Sequence, residues 1–135
     1  VTFTPAAHYH GAASFQYVVT DGAGGTATGS VTVNVTAVND LPVAQGEAAS
    51  LSEDNAVIFT QAQLLANDSD TDVATDGQVL SITAVAGAQH GAVSLLANGD
   101  IRFVPDANYH GPASFTYTVS DGVGGTAQAG VSLTV

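Results

Sequence analysis

An internal repeat constrains this chain more than any other feature. The segment His8 to Ala27 returns one hundred residues later as Asn108 to Ala127, and residues 1–35 match residues 101–135 at 19 of 35 positions without a gap. A period near one hundred residues corresponds to a whole domain rather than to one turn of a solenoid. The sequence therefore predicts a piece of a tandem array of similar domains.

The position of the repeat predicts three parts. Residues 1–36 hold the C-terminal strands of one repeat, residues 37–42 form the linker, and residues 43–135 form one complete repeat. The complete repeat is long enough to bury the core of a small sandwich. The first part holds only two or three strands of an unfinished sheet, so we expect it to be marginally stable unless something covers its apolar face.

The strands are predicted from alternation. Within Ala113–Ser120, Phe115, Tyr117 and Val119 fall on one face and the polar residues on the other, which is the period of a half-buried strand. Val131, Leu133 and Val135 repeat the pattern in the last strand. The glycine-rich turn Asp121–Gly125 between them favours an antiparallel hairpin, because glycine adopts the positive φ angles that tight connections need.

Further apolar runs bounded by Asn, Asp or Gly predict more strands. They are Ala56–Thr60, Val79–Val85, Ala92–Leu96 and Ile101–Val104, with Pro42–Ala48 as an entry strand. Gln61–Ala66 is the one stretch that suits a helical turn. About seven short strands with frequent turns predict an all-β fold, a Greek-key β-sandwich of immunoglobulin-like topology.

Charge and composition exclude several classes of function. Arg102 is the one basic residue against twelve acidic ones, which gives a net charge of −11. Nucleic acid and anionic membrane surfaces are therefore excluded as expected partners, and cations are favoured. The chain has no lysine and no cysteine, which excludes Schiff-base chemistry, disulfides and thiolate zinc sites. No stretch is apolar and long enough to predict membrane insertion.

The acidic residues cluster in two places. Asp68, Asp70 and Asp72 stand at every second residue with Asp76 just beyond, and a second cluster, Asn39-Asp40, stands just before Pro42 in the predicted linker. Crowded carboxylates without a basic neighbour repel one another, and a divalent cation reverses the sign of that interaction. Calcium is the favoured ion, because flexible loops can supply the six to eight oxygen ligands that it takes.

These residues resemble a known family. The turn Asp121-Gly-Val-Gly-Gly-Thr-Ala before an alternating strand, the connector Val38-Asn-Asp-Leu-Pro42 and the segment Asn67-Asp-Ser-Asp70 are similar to the bacterial cadherin-like tandem repeats of large RTX and VCBS-type adhesins. The pattern of Tyr109, Gly111, Phe115 and Tyr117, present in both copies, is typical of that group. The resemblance implies an extracellular sandwich domain, strung in many copies, with calcium at the junctions.

The resemblance also implies a ligand set. In cadherins a linker Asn-Asp motif, an Asp-x-Asp pair in the following domain and an aspartate before its last strand hold the calcium; here these are Asn39 and Asp40, Asp68 and Asp70, and Asp121. The family's Asp-x-Glu pair is missing from Pro5–His10, and Glu53 is the counterpart of its base glutamate. We therefore expect one complete calcium site at this junction rather than the three of cadherins.

Other interpretations of the same residues stay open. Asp68, Asp70 and Asp121 also suit simple turns, in which aspartate accepts backbone hydrogen bonds, and so do Asp72 and Asp76. Asp21, the counterpart of Asp121, is expected to be an unfilled half-site or an ordinary turn residue. His8-Tyr-His10 has the spacing of a zinc pair on a strand, but the second copy has Asn108 in place of His8, which favours a turn anchored by the tyrosine.

The predicted function is that of an extender repeat in a secreted or surface-anchored bacterial adhesin, with calcium and neighbouring repeats of the same chain as its partners. Alternatives are binding of polysaccharide or homophilic adhesion to another cell surface. Eight of the nine aromatic residues form matched pairs between the copies, which predicts core positions and leaves only Phe59 as a sugar platform. No local pattern marks a catalytic site, so no enzymatic activity is expected.

Overall fold

Alternating residues and glycine-rich turns produce nine β-strands and two short helices in the computed structural model, which describes residues 1–135. The chain divides into two units, Val1–Val38 and Asn39–Val135. The elements are β1 (Gly11–Thr20), β2 (Thr26–Val35), β3 (Glu47–Ser50), β4 (Val57–Phe59), α1 (Gln61–Leu64), α2 (Asp72–Thr75), β5 (Ser81–Gln89), β6 (Gly91–Leu95), β7 (Ile101–Pro105), β8 (Pro112–Ser120) and β9 (Thr126–Thr134).

The first unit is a single antiparallel hairpin. β1 pairs with β2 from Gly11 opposite Val35 to Thr20 opposite Thr26, and the two strands form a sheet of their own. Phe3 stacks on Phe15 with ring centroids 6.0 Å apart. The prediction of two or three strands in this part is therefore met by two strands.

The second unit is a sandwich of two sheets. One sheet has the order β3-β9-β8-β5 and the other has the order β4-β7-β6. β3 lies parallel to β9, and the remaining pairs are antiparallel. These seven strands confirm the predicted all-β, immunoglobulin-like sandwich.

The core lies between the two sheets. β8 contributes Phe115, Tyr117 and Val119, which are at most 1% exposed, and thus confirms its predicted apolar face. From the opposite sheet, Phe103 stacks on Phe115 at 5.8 Å, and Phe59 packs on the same ring at 5.8 Å. The other fully or nearly fully buried apolar residues are Leu64, Ile82, Ile101, Ala113, Ala129, Val131 and Leu133.

The entry strand differs from the prediction of Pro42–Ala48, because β3 begins only at Glu47. The preceding backbone bonds elsewhere: the Val43 amide donates to the Ser69 carbonyl at 2.7 Å, and the Gln45 amide donates to the Asp68 carboxylate at 2.7 Å. Gly46 then passes so close to Gly130 that a Cβ would lie 2.7 Å from its carbonyl oxygen. The bonds of Val43 and Gln45 therefore direct this segment to Asp68 and Ser69, and it joins β9 only after Gly46.

Two other elements differ from their predicted form. β5 begins two residues after Val79 and runs on to Gln89 through register shifts, because Gly87 takes a φ of 64° and so lets the strand continue past an irregularity. The helical turn predicted at Gln61–Ala66 is present as α1. The second helix, α2, was not predicted, since four residues are too few to show a helical period.

Candidate metal centre

Asp121 closes the turn between β8 and β9. Its Oδ1 accepts hydrogen bonds from the amides of Val123, Gly124 and Gly125 at 2.8, 3.0 and 2.9 Å, and the residue is 2% exposed. The turn can form because Gly122 and Gly124 take φ angles of 82° and 122°. The turn role that the sequence left open for Asp121 is thus present.

The predicted linker reaches the same carboxylate. The Asn39 amide Nδ2 donates to Asp121 Oδ2 at 2.8 Å, and the Gln78 amide Nε2 donates to Asn39 Oδ1 at 2.7 Å. The Asn39 amide lowers the pKa of Asp121 most, the turn amides lower it further, and burial works against them. Asn39 and Asp121, two of the predicted ligands, are therefore in direct contact.

A second group joins the other half of the linker to α2. The Asp40 amide donates to Asp72 Oδ2 at 2.7 Å, and the Asp72 amide donates to Asp70 Oδ1 at 2.8 Å. Asp72 is only 4% exposed. The sequence left metal ligation and a turn role about equally open for Asp72 and did not assign it to the junction site.

Asp68 points to a different set of partners. Its Oδ1 accepts from the Gln45 amide at 2.7 Å, and its Oδ2 lies 3.3 Å from the hydroxyl of Tyr117. The structure therefore links Asp70 through Asp72 to the backbone of Asp40, and places the hydrogen bonds of Asp68 on Gln45 and the core tyrosine.

Four oxygen atoms surround the Tyr117 hydroxyl. They are the Gln45 carbonyl at 2.9 Å, the Leu64 carbonyl at 3.3 Å, Glu47 Oε1 at 3.2 Å and Asp68 Oδ2 at 3.3 Å. A phenol has one proton to donate, so the four acceptors compete for it. Burial raises the pKa of Glu47 and the charge of Asp68 raises it further, while the tyrosine hydroxyl opposes both. Burial likewise raises the pKa of Tyr117.

Three buried side-chain oxygen atoms in these groups have no hydrogen-bond partner. They are Glu47 Oε2, next to Tyr117, and Asp70 Oδ2 and Gln78 Oε1, whose side chains bond to the linker or to α2. Such orphaned acceptors are uncommon, because burial without a partner costs free energy. No group of three or more His, Asp or Glu side chains converges to hold a metal ion. The available donors are oxygens of carboxylates and amides, which is the ligand chemistry of calcium.

An open groove of about 520 Å³ borders this cluster. Its walls are mainly apolar, and it contains no aromatic side chain; the lining residues are Leu65, Asp68, Ser69, Asp70, Val73, Gln78, Val79 and Leu80.

The remaining candidates have structural roles in turns. Asp21 accepts from the amides of Ala23 at 2.8 Å and Gly25 at 2.9 Å, and these bonds lower its pKa. Tyr9 donates its hydroxyl to the Ala12 carbonyl, which anchors the turn as predicted. His8, in that turn, has a φ of 58°. Glu53 is exposed.

Fold and cluster together define an immunoglobulin-like β-sandwich repeat with a polar, acidic edge beside its linker. The family model of a cadherin-like domain matches residues 38–135, and the chain belongs to that family. The model of a bacterial Ig domain matches residues 1–34. The predicted resemblance to a bacterial cadherin-like repeat is thereby confirmed.

Solved structures that the chain partly resembles in backbone structure include two endo-fucoidan hydrolases of glycoside hydrolase family 107. MfFcnA9 is 18% identical with a TM-score of 0.46, over 98% of this chain and 23% of that protein. MfFcnA4 is 20% identical with a TM-score of 0.42, over 98% of this chain and 20% of that protein. The chain thus spans less than a quarter of either, and nothing about activity follows from so distant a likeness. No curated protein matches the chain.

The matches to cadherin-like and bacterial Ig domains support the assignment of this chain as an adhesin-type repeat module. Such bacterial domains are usually extracellular or surface-exposed. None of the helices in this structure has the length and apolar character needed to cross a bilayer.

Proposed function

We propose that this chain is a calcium-binding extender repeat of a large secreted or surface-anchored bacterial adhesin. The calcium is held at the start of the second unit by Asn39, Asp40, Asp70, Asp72, Gln78 and Asp121, and its binding draws the two hydrogen-bonded groups that contain these residues together. The ion neutralises a crowded acidic edge and fixes the linker residues to the sandwich. The repeat acts as a structural spacer and not as an enzyme, in keeping with the typical role of cadherin-like and Ig-like domains.

The observation that carries the proposal is that two of the three orphaned oxygens, Asp70 Oδ2 and Gln78 Oε1, belong to side chains that are hydrogen-bonded toward the linker. Gln78 is one hydrogen bond from the linker, through Asn39, and Asp70 is two hydrogen bonds away, through Asp72 to the amide of Asp40. A hard cation would give both oxygens a partner and would offset the repulsion between the carboxylates. The chain's one basic residue, Arg102, lies on β7, and the hydrogen bonds of Asn39 and Asp40 go to Asp121, Gln78 and Asp72 instead.

The side-chain amides of Asn39 and Gln78 can satisfy the cluster by hydrogen bonds when calcium is absent and can bind the ion when it is present. As placed, Asn39 and Gln78 each direct an NH2 group to a neighbouring oxygen. A half-turn of a carboxamide exchanges its NH2 donor for its oxygen acceptor. The internal hydrogen bonds therefore stand in for a cation, and calcium would replace them with amide oxygens as ligands.

Asp68 remains a predicted ligand from the family pattern, but its hydrogen bonds favour a supporting role. It holds the Gln45 amide and approaches Tyr117, and so ties the loop that carries Asp70 to the core. The proposal therefore assigns the Asp-x-Asp pair to Asp70 and Asp72. A substitution of Asp68 distinguishes this assignment from the pair Asp68 and Asp70 given by the family pattern.

Calcium titration calorimetry of the full chain tests the proposal. We expect one ion per chain for the wild type, loss of binding in Asp70→Asn and Asp72→Asn, and retained binding in Asp68→Asn. Asp106→Asn is the matched control, because it removes the same charge from an exposed turn. Binding lost in Asp68→Asn but kept in Asp72→Asn would return the pair to the assignment made from the sequence, and absence of binding in the wild type would refute the calcium site.

The side chains favour a spacer over a polysaccharide-binding module. Phe59, the aromatic residue without a counterpart in the first copy, packs on Phe115 at 5.8 Å. The exposed aromatic residues are Tyr9 and Tyr17 of the first unit. The second unit thus offers no exposed aromatic platform of the kind on which sugars stack.

A further inference from the structure

The hairpin of the first unit and the β8–β9 hairpin of the second unit are copies of one structure. Phe15 lies opposite Val31 in the first, and Phe115 lies opposite Val131 in the second. The turns are also the same, since the amides of Asp21 and Asp121 donate to Gly25 and Gly125 at 3.1 and 3.2 Å. What surrounds one hairpin therefore indicates what the other is built to receive.

In the second unit, other strands cover both edges and the apolar face of the hairpin. β3 pairs with β9 from Glu47 opposite Val131 to Ser50 opposite Thr134, and β5 pairs with β8. The β4-β7-β6 sheet covers the face, with Phe103 stacked on Phe115. As a result Tyr117 and Val119 are both 0% exposed.

The same face is open in the first unit. Tyr17 is 42% exposed and Val19 is 55% exposed, and β1 and β2 have no further strand beside them. The Tyr17 ring lies over Gly29, where a Cβ would meet it at 2.5 Å, whereas the Tyr117 hydroxyl reaches the Gln45 carbonyl at 2.9 Å. A two-stranded sheet with two free edges and an apolar face is a template for added strands.

The chain before the hairpin carries a further sign of missing partners. Residues 1–5 correspond to β7 (Ile101–Pro105), yet they form no strand. In the second unit β7 is held between β4 and β6, which have no counterparts in the first unit. The stacking of Phe3 on Phe15 nevertheless survives, so one interior contact of a complete repeat is already made.

We propose that the β1–β2 hairpin is a strand-docking surface whose partner is the strand set of a cadherin-like repeat equivalent to β3–β6 of this chain. The partner adds a parallel strand beside β2 and an antiparallel strand beside β1, and lays a second sheet over Phe15, Tyr17 and Val19. Tyr17 is the specificity residue, because its hydroxyl would take the place that Tyr117 takes against the Gln45 and Leu64 carbonyls. This proposal does not depend on calcium.

A fusion tests this proposal on the whole chain. Residues 39–100 are placed directly in front of Val1, which preserves the offset of 100 between the copies. Hydrogen exchange is then compared with that of the 135-residue chain in the presence of a chelator. We expect the outward-facing amides of β1 and β2 to exchange at least about 100-fold more slowly in the fusion, and residues 1–5 to become protected as a strand.

Two substitutions in the fusion serve as probes. Tyr17→Phe removes only the hydroxyl and is expected to reduce the new protection, while Val18→Thr, on the opposite face, reproduces the Thr118 of the second copy and should leave it unchanged. Unprotected β1 and β2 amides in a folded fusion would overturn the proposal. Self-association of the 135-residue chain that protects the β1 and β2 amides as well as the fusion does would also overturn it, since the partner would then be a second copy. Failure of calcium binding would affect neither result.

Discussion

Asp121 links the ionisation of one carboxyl to the stability of the second unit. Its pKa is lowered by the Asn39 amide and by three turn amides, against the effect of burial. A carboxyl whose folded pKa lies below its unfolded value of about 3.9 adds stability above that pH and loses it as the pH falls through the folded pKa. The turn and the linker contact therefore both weaken in acid.

Replacing this carboxylate should flatten the acid response. In the presence of a chelator, Asp121→Asn is expected to be less stable than the wild type at pH 7 and to lose less additional stability below pH 4. Urea unfolding at a series of pH values measures both effects. Asp106→Asn is the control, and equal slopes for Asp121→Asn and the wild type below pH 4 would contradict the assignment.

The contribution of Glu47 to stability depends on pH in the opposite direction from that of Asp121. Burial, followed by the charge of Asp68, raises its pKa above the usual value, so its contribution is present below the unfolded pKa and is lost as the pH rises through the folded one. Without calcium, Glu47→Gln should stabilise the chain at pH 7 by about 0.5 kcal/mol and have little effect near pH 3.5. Glu53→Gln is the exposed control. A loss of stability in Glu47→Gln at pH 7 would show that the charge is needed.

At the scale of elements, α1 is a single turn held by its cap. The Thr60 hydroxyl accepts from the Gln63 amide, and the Gln63 side chain accepts from the Thr60 amide. Loss of an N-cap costs about 1 kcal/mol, so Thr60→Ala should lower the free energy of unfolding by that amount while Thr60→Ser retains most of it. Chemical denaturation gives the difference. An unchanged value for Thr60→Ala would mean that packing of Leu64 alone holds the turn.

The two copies of one aromatic position provide a matched pair of substitutions. Phe103 is 0% exposed between the sheets, so Phe103→Ala should cost about 3–5 kcal/mol. Phe3 is its counterpart in the first unit, where it stacks on Phe15 and is only partly buried, so Phe3→Ala should cost well under half of that. Urea unfolding of the two variants compares the packing around Phe3 in the hairpin with the packing around Phe103 in the complete repeat. Equal losses of stability would show that Phe3 also lies in a complete core.

The strands were predictable because their signal is local and strong. Alternation in Ala113–Ser120 and the glycines after Asp121 depend only on the chain itself, and both appear as expected in β8 and its turn. The start of β3 was not predictable, because it depends on the bonds of Val43 and Gln45 to the distant residues Ser69 and Asp68. Helix α2 was hidden for another reason, since one turn shows no period.

The candidate site shows the same division. The contact of Asn39 with Asp121, 82 residues apart, followed from the family pattern. The family pattern assigned the Asp-x-Asp pair to Asp68 and Asp70, but the different partners of Asp68 and Asp72 did not follow from the sequence, because they depend on the direction of the backbone in the loop. In the structure Tyr117 engages Asp68, and the Asp40 amide engages Asp72.

On the scale of the whole molecule, the proposed ligands all lie after Val38. Asn39, Asp40, Asp70, Asp72, Gln78 and Asp121 belong to the second unit, and the Asp-x-Glu pair that a cadherin repeat would contribute is absent from Pro5–His10. A calcium ion held in this way would order the linker on the second sandwich without requiring a ligand from the hairpin.

This arrangement predicts a local calcium response. At a hundred times Kd, calcium should stabilise the second unit by about 2.7 kcal/mol, and amide exchange should slow across residues 36–43 and 67–76. The amides of β1 and β2 should be unaffected, because none of the proposed ligands lies in them. Hydrogen exchange read by mass spectrometry with and without calcium resolves the two regions, and Asp72→Asn should abolish the response. Equal slowing in both units would show that the hairpin contributes ligands, so that the ion joins two repeats instead of stiffening the entry to one.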